Sequence, residues 1–313
     1  MKKCLIIINE NAGGSKKINF SKVENCLGDT YSFSHCKLLS QPVPSLNGYQ
    51  AVAVCGGDGT LSSVLEKTYD MPIEVFYFPV GTLNDKAKSA RYRHAKSQCP
   101  STGANNLQPV VIGKIKSENG EEHIFSYVLA CGSFTPIGYK ANVKTKKKLG
   151  IFAYILHVIK EYRPHKINAR ISIDNKIECE NFDANKSSDC EKIEGDFTLI
   201  MFVKSPRCFG FSFNKAFSAQ KESGHLLAIR TPKHGGALGY IEMFFPFFKA
   251  FFIGLKKERM GKNLIFKEVE SAEIELNDVM DFCKDGEKLA TEKGRYTLSF
   301  KKSKCKFSVI DKF

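Results

Sequence analysis

Three short runs within the first 85 residues combine glycine with side chains suited to phosphate or to a hard cation. The run from Val52 to Leu61, VAVCGGDGTL, is an apolar strand that feeds into Gly56, Gly57 and Gly59 around Asp58, then Thr60 and a helix. Glycines at such a junction let backbone N–H groups approach phosphoryl oxygens, and the helix N-terminus adds positive potential. A carboxylate beside phosphate is repulsive unless a cation intervenes, so Asp58 reads as holding Mg²⁺ directly or through water. The plainer reading is a glycine turn with Asp58 as a helix N-cap, for which one glycine would suffice.

Asn9 to Ser15, NENAGGS, closes the first apolar run, and Phe78 to Asp85, FPVGTLND, closes another. Each alone reads equally well as an ordinary β-to-α turn. Together they put three loops at the carboxyl ends of strands, where open α/β sheets gather their ligands. A fourth run, Lys284 to Glu287 (KDGE), sets two carboxylates about an Asp-Gly pair, which by itself is a hairpin turn signal.

The elements that must position these runs follow from periodicity and breakers. Residues 1 to about 120 alternate strand and helix: a strand over Cys4–Ile8, a helix over Lys16–Leu27, strands over Tyr31–Leu38 and Ala51–Cys55, a helix over Leu61–Tyr69 and a strand over Ile73–Phe78. That order predicts a parallel sheet. The connection from Ser40 to Tyr49, with Pro42, Pro44 and Gly48, is too short and proline-rich for a crossover helix, so one helix of the usual alternation is missing. Beyond residue 121 the pattern turns to strands: His123–Cys131, Ala169–Ile173, Phe197–Val203, Leu226–Arg230, Ser271–Leu276 and Tyr296–Phe300. Two helices, Ile151–Glu161 and Tyr240–Leu255, interrupt them, and the polar run Asn181–Glu194 reads as a surface loop. The fold class is α/β + β, with an α/β domain over residues 1–120 and a mainly β domain over 121–313.

Composition narrows the partners. An excess of 47 Lys and Arg over 33 Asp and Glu gives a net charge of +14, which favours polyanions or an anionic membrane face. No helix-turn-helix, zinc-finger or aromatic RNA-binding signature is present, so nucleic acid is not an expected partner. The eleven cysteines form no CxxC pair, and Cys4, Cys55 and Cys131 lie in apolar runs, a pattern expected in a reducing, cytoplasmic setting. The apolar run at the N-terminus is too short for a signal segment and reads as a first strand. No stretch approaches the roughly 20 apolar residues that span a bilayer, so membrane contact is expected to be peripheral.

In their order along the chain, these motifs resemble the catalytic domain of the diacylglycerol kinase and sphingosine kinase superfamily, whose GGDGT loop is shared with NAD kinases and phosphofructokinases. The Pro-x-Gly-Thr-x-Asn-Asp run from Pro79 to Asp85 resembles the lipid-kinase branch specifically. The likeness continues through Lys148, Leu149 and Gly150, then Ala153 and Tyr154, to Lys284–Glu287, and so spans most of the chain.

The resemblance implies an ATP-binding α/β domain, a β-sandwich lipid domain and a cleft between them. It implies that Asn9, Ala12, Gly13, Gly14, Gly56, Gly57, Gly59 and Thr60 hold the nucleotide phosphates and that Thr82 faces ATP. Asn84 would contact the nucleotide or brace its loop. Asp58 and Asp85 would order Mg²⁺, which phosphoryl transfer needs to neutralise charge on the β and γ oxygens, no lysine standing at Walker spacing to do that alone. In the Asp285-Gly286-Glu287 turn Glu287 would be the general base for the lipid hydroxyl, with Asp285 and Asp58 completing the catalytic set. The expected reaction is transfer of the ATP γ-phosphate to a lipid alcohol, diacylglycerol first, giving phosphatidic acid. A sphingoid base, a soluble NAD kinase-like substrate, or a non-catalytic nucleotide-binding membrane regulator are the alternatives. The expected partners are ATP and a lipid at a membrane surface, and the pattern leaves room for a homodimer.

Four features depart from the family pattern. Glu10 stands where proline is usual and adds negative charge near the phosphates. Ser40, in the shortened connection, is a weak stand-in for a nucleotide-contacting threonine. Lys86 and Lys88 replace a more usual aromatic and mixed pattern, which would help bind an anionic substrate. Ser223-Gly224 replaces an Asp-Gly turn that in some bacterial members forms a second, structural Mg²⁺ site; serine is a poor ligand for a hard cation, so that metal is not expected. The Phe-rich run after Tyr240, followed by Lys256, Lys257 and Arg259, reads either as core plug or as an interfacial segment on an anionic bilayer. The run Lys144–Lys148 reads as a solvated turn.

Overall fold

The computed structural model of the chain describes residues 1–39, 41–96, 106–133, 135, 164–174, 191–208, 210–311 and 313. Among them, contacts define two compact units, one of residues 1–110 with 302–313 and one within 111–301. The first passage between these units falls at 110/111, and the C-terminal residues group with the first unit. Ser40, the helix expected over Ile151–Glu161, and the motif residues Lys144–Gly150, Ala153 and Tyr154 lie outside the described residues.

The first unit runs β1 (Lys2–Asn9), α1 (Phe20–Leu27), β2 (Tyr31–Leu38), β3 (Ala51–Gly56), α2 (Asp58–Thr68), β4 (Glu74–Pro79) and α3 (Asp85–Lys96). Its strands pair in parallel in the order β2-β1-β3-β4. The central strands are covered on both faces, which is why β1 and β3 read as unbroken apolar runs. Ile6 and Ile8 of β1 and Phe76 and Phe78 of β4 pack in one core with Val23 and Leu27 of α1. The first helix starts at Phe20, later than Lys16, because extended Asn19 caps it by accepting the Lys22 N–H; Ser15–Lys17 form a 3-10 turn instead. No helix occurs over residues 41–50, in keeping with their prolines. The closing strand of the chain, β18 (Gly294–Val309), lays its end parallel to β4 from Lys306 to Val309.

The second unit is mostly antiparallel. It holds β5 (Gln108–Ser117, starting in the first unit), β6 (Glu122–Phe125), β7 (Val128–Gly132), β8 (Ile167–Asp174), β9 (Glu191–Val203) and the short pair β10 (Arg207–Cys208) and β11 (Phe211–Ser212). β12 (Gly224–Arg230) leads into α4 (Gly236–Phe248), and β13 (Arg259–Met260), β14 (Leu264–Val269), β15 (Ser271–Leu276), β16 (Met280–Lys284) and β17 (Glu287–Thr291) follow. The strand path is β13-β14-β12-β9-β8-β15-β18, with β7 and the β16–β17 hairpin branching from β9 and with β5 and β6 branching from β18. Strand β9 starts at Glu191, inside the expected loop, because its first half pairs with β8 while its second half pairs with β12 and β7.

Alternate residues of β12 and β9 serve two cores. Leu226, Ala228, Ile200 and Phe202 face one; Leu227, Ile229, Leu199 and Met201 face the other, where Met243, Phe247 and Ala250 cover them. Helix α4 begins at Gly236, earlier than Tyr240, and Pro246 does not end it. Just beyond, Lys249–Ile253 widen to π spacing, closed by the Gly254 N–H on the Lys249 carbonyl. This makes Gly236–Ile253 an 18-residue run that by length and composition could cross a membrane, contrary to the expectation that no stretch would.

Candidate functional site

Three loops meet in the first unit, each at the carboxyl end of a parallel strand. After β1, the Asn9 side-chain amide donates to Thr60 Oγ1 at 2.8 Å, and the Gly14 N–H donates to the Val80 carbonyl at 2.7 Å. A Cβ on Gly81 would come to 2.5 Å from the Gly57 Cα, so the Gly81 loop tolerates no side chain where the two loops cross. Asn9, Ala12, Gly13, Gly14, Gly56, Gly57, Gly59, Thr60 and Thr82 therefore belong to one loop cluster. Gly57 caps α2 with its backbone extended and no side-chain hydrogen bond at that end, a terminus of the kind that accepts phosphate.

Asp58 is held by the third loop. Its Oδ2 accepts the Asp85 N–H at 2.8 Å and its Oδ1 accepts the Lys86 N–H at 3.0 Å, so it caps α3, not its own helix α2. Asp85 is only 1% exposed, and its carbonyl accepts the Ser89 hydroxyl at 2.6 Å. Asn84 sits at a φ of 50° and braces the loop. Its Oδ1 accepts the Gly81 N–H at 2.9 Å, and its Nδ2 donates to the Gly81 carbonyl at 2.8 Å. Buried Tyr77 reaches Asn84 Oδ1 at 3.3 Å, and burial, with Asp58 and Asp85 nearby, pushes its phenol well above the ordinary range.

A Mg²⁺ ion fits this donor set only in part. Asp58 and Asp85 are the candidate carboxylates, and an ion held by two carboxylates would complete its shell with phosphate oxygens and water. Glu10, the departure from proline, is paired with Lys37 at 2.8 Å, which offsets its charge beside the loops. Lys86 is buried and Lys88 exposed, so of the two only Lys88 is open to an anionic ligand.

In the second unit the Asp285-Gly286 turn joins β16 to β17, with φ values of 51° and 94° suited to a tight hairpin. Asp285 is nonetheless 2% exposed. Its carboxylate accepts the backbone N–H groups of Ser126, Tyr127 at 3.0 Å and Val128 at 2.9 Å, and its own N–H donates to the Val128 carbonyl at 2.9 Å. These bonds break the strand expected over His123–Cys131 into β6 and β7. They also tie the Asp285 carboxylate to the backbone between β6 and β7, so that it braces the turn. Glu287, two residues on, is exposed and makes no side-chain hydrogen bond or ion pair among the described residues.

Sequence reasoning missed one cation. Lys204, 4% exposed, directs its ammonium at the carbonyls of Ser218 (2.9 Å), Lys221 (2.6 Å) and Ser223, with the Phe217 ring 5.5 Å away. Ser223 meanwhile donates to Glu268 at 2.6 Å. The carbonyl cage beside the Ser223-Gly224 turn thus already holds a positive charge and does not fit a second metal. The signal was a lysine directly after the apolar run of β9. Nearby His225 is stacked on Phe266, its Nδ1 accepts the Asn214 side-chain N–H at 3.2 Å, and burial pulls its pKa down to about 4. None of the eight described cysteines forms a disulfide with another of them.

Residues 3–115 match the diacylglycerol kinase catalytic domain. A Streptococcus pneumoniae serotype 4 protein assigned as a lipid kinase is 25% identical over 189 residues, 56% of this chain and 62% of the relative. A diacylglycerol kinase of Mycobacterium tuberculosis is 30% identical over 122 residues, 38% of each. The chain thus spans less than two thirds of these relatives in the matched segments. A crystal structure of a diacylglycerol kinase from Bacillus anthracis str. Sterne superposes with a TM-score of 0.63 at 16% identity, covering 98% of this chain and 96% of that one, a likeness of fold.

Proposed function

We propose that this chain, which carries a diacylglycerol kinase catalytic domain over residues 3–115, is an ATP-dependent lipid kinase that phosphorylates a lipid hydroxyl, with diacylglycerol as the acceptor and phosphatidic acid as the product. The observation that carries the reading is the mutual bonding of three strand-end loops through Asn9–Thr60, Gly14–Val80 and Asp58–Asp85. Such a cradle would offer backbone N–H groups to phosphate, with Asp58 and Asp85 as the carboxylates nearest to hand for a cation.

In this reading the amides of the Ala12–Gly14 and Gly56–Thr60 loops bind the phosphates. Asp58 fixes the start of α3 and, with Asp85, would hold Mg²⁺, which when bound neutralises charge on the β and γ oxygens. Glu287 accepts the proton of the lipid hydroxyl as its oxygen bonds to the γ-phosphorus and ADP leaves. Asp285 holds the turn that presents Glu287. The setting that fits these substrates is the cytoplasm.

The reading is tested by incubating the purified chain with γ-labelled ATP and a total lipid extract, then separating products by thin-layer chromatography. Label migrating as phosphatidic acid is the expected result. Label on another lipid would keep the kinase and replace the acceptor; label on NAD without lipid would replace the substrate class.

A further inference from the structure

Helix α4 is apolar on two opposite faces. Gly239, Met243, Pro246 and Phe247 are buried, and Met243, Phe247 and Ala250 close a core. The opposite face presents Leu238, Ile241, Phe244, Phe245, Phe248 and Phe252, from 40% to 68% exposed. Phe244, Phe248 and Phe252 stack as a ladder with ring centroids 5.4 and 5.3 Å apart. A surface of this density, on a helix whose other side already fills the core, is not packing left unfinished; it marks an interaction site.

Charge selects the occupant. From residue 236 to 262 the segment carries Lys249, Lys256, Lys257, Arg259 and Lys262 against only Glu242 and Glu258. Both acids are engaged: Glu242 takes the His234 ring and the Lys233 N–H, and Glu258 pairs with Lys267 at 3.3 Å. An aromatic ridge ending in unopposed cations matches the boundary between acyl chains and anionic headgroups. A second copy of the chain would bring the same cations against these, at a cost rather than a gain.

We infer that the outer face of α4 docks the chain on an anionic bilayer, its phenylalanines inserted among the acyl chains and Lys256, Lys257 and Arg259 at the headgroups. The choice of a bilayer over other anionic surfaces rests on the lipid-kinase reading. The burial of Met243, Phe247 and Ala250 makes this an attachment along the surface, with the helix anchored to its own fold.

The test is flotation of the full chain with vesicles of phosphatidylcholine alone or with about one third phosphatidylglycerol, without diacylglycerol or ATP. The wild type is expected to bind the anionic vesicles at least ~10-fold more tightly. Phe244→Ser/Phe248→Ser/Phe252→Ser should weaken binding to them roughly 100-fold, since each lost ring forfeits interfacial burial. Lys256→Glu/Lys257→Glu should abolish the preference for anionic lipid. Both variants alter exposed positions, and unchanged melting curves establish that they fold. Undiminished vesicle binding by the triple serine variant overturns the inference. So does a wild-type dimer that the same variant turns into monomer, which would assign the face to a second copy. Vesicle binding through α4 with no phosphate transfer would defeat the kinase reading alone, because nothing in the flotation depends on catalysis.

Discussion

The carboxylate of Asp58 accepts the backbone N–H groups of Asp85 at 2.8 Å and of Lys86 at 3.0 Å, so the glycine loop after β3 caps the helix that follows β4. One residue thus ties together two of the three loops that form the proposed phosphate cradle. Asp58→Ala removes both acceptors and should cost about 1–2 kcal/mol in stability. Asp58→Asn keeps one acceptor but loses the charge that would attract Mg²⁺, so its melting temperature should fall less while phosphate transfer falls to a similar extent. Thermal melts set beside turnover distinguish the two effects; full activity in the asparagine variant would remove Asp58 from cation binding.

Asp285 and Glu287 flank one glycine but should fail in different ways. Asp285 is buried with three amides donating to it, so Asp285→Ala leaves those donors unsatisfied and should cost roughly 3 kcal/mol or more. Glu287 is exposed and makes no side-chain bond among the described residues, so Glu287→Gln should leave the melting temperature unchanged while turnover drops by about 100-fold or more. A destabilised Glu287→Gln protein would mean that this side chain has a structural partner.

Lys204 should be needed for stability without any dependence on divalent cations. Lys204→Met leaves three converging carbonyls without a donor and should destabilise the second unit by roughly 2–4 kcal/mol. The loss on Lys204→Met should be the same with chelator as with Mg²⁺, because an ammonium fills the cage. A chelator-induced fall in the melting temperature that persists in Asp58→Asn would place a metal in the cage in place of the ammonium.

Buried His225 predicts acid sensitivity. Burial, the largest effect, holds its folded pKa at about 4 against an ordinary 6.5, with Lys204 and Lys221 acting in the same direction and Glu268 and Glu258 opposing. The unfolded chain therefore binds the proton first, and stability is lost as pH falls through 6.5 toward 4, by up to roughly 3 kcal/mol. Urea melts across that range should show the slope in the wild type and a flatter one in His225→Phe. An equal slope in both would assign the effect to other groups.

Much of the fold was legible where its signals are local. Strand β2 falls on the expected residues Tyr31–Leu38, and β15 likewise on Ser271–Leu276, each bounded by turn residues and paired over its whole length. The convergence of the Asn9, Gly56 and Gly81 loops followed from their places at strand ends. What escaped depends on distant partners. Nothing near Asp285 in sequence tells that an Asp-Gly turn is buried; its partners at Ser126–Val128 lie about 160 positions earlier. The end of β18 reads as part of the second half, yet it pairs with β4 because Phe307 and Val309 find their core there. Local sequence likewise could not decide which face of the Phe-rich helix is covered, since both faces are apolar.

The most direct measurement is transfer of label from γ-labelled ATP to diacylglycerol in mixed micelles, comparing wild type with Glu287→Gln at matched ATP binding. Labelled phosphatidic acid from the wild type and almost none from the variant is the predicted result. A folded wild-type chain that binds ATP and labels no lipid, or a variant that labels as fast, would contradict it.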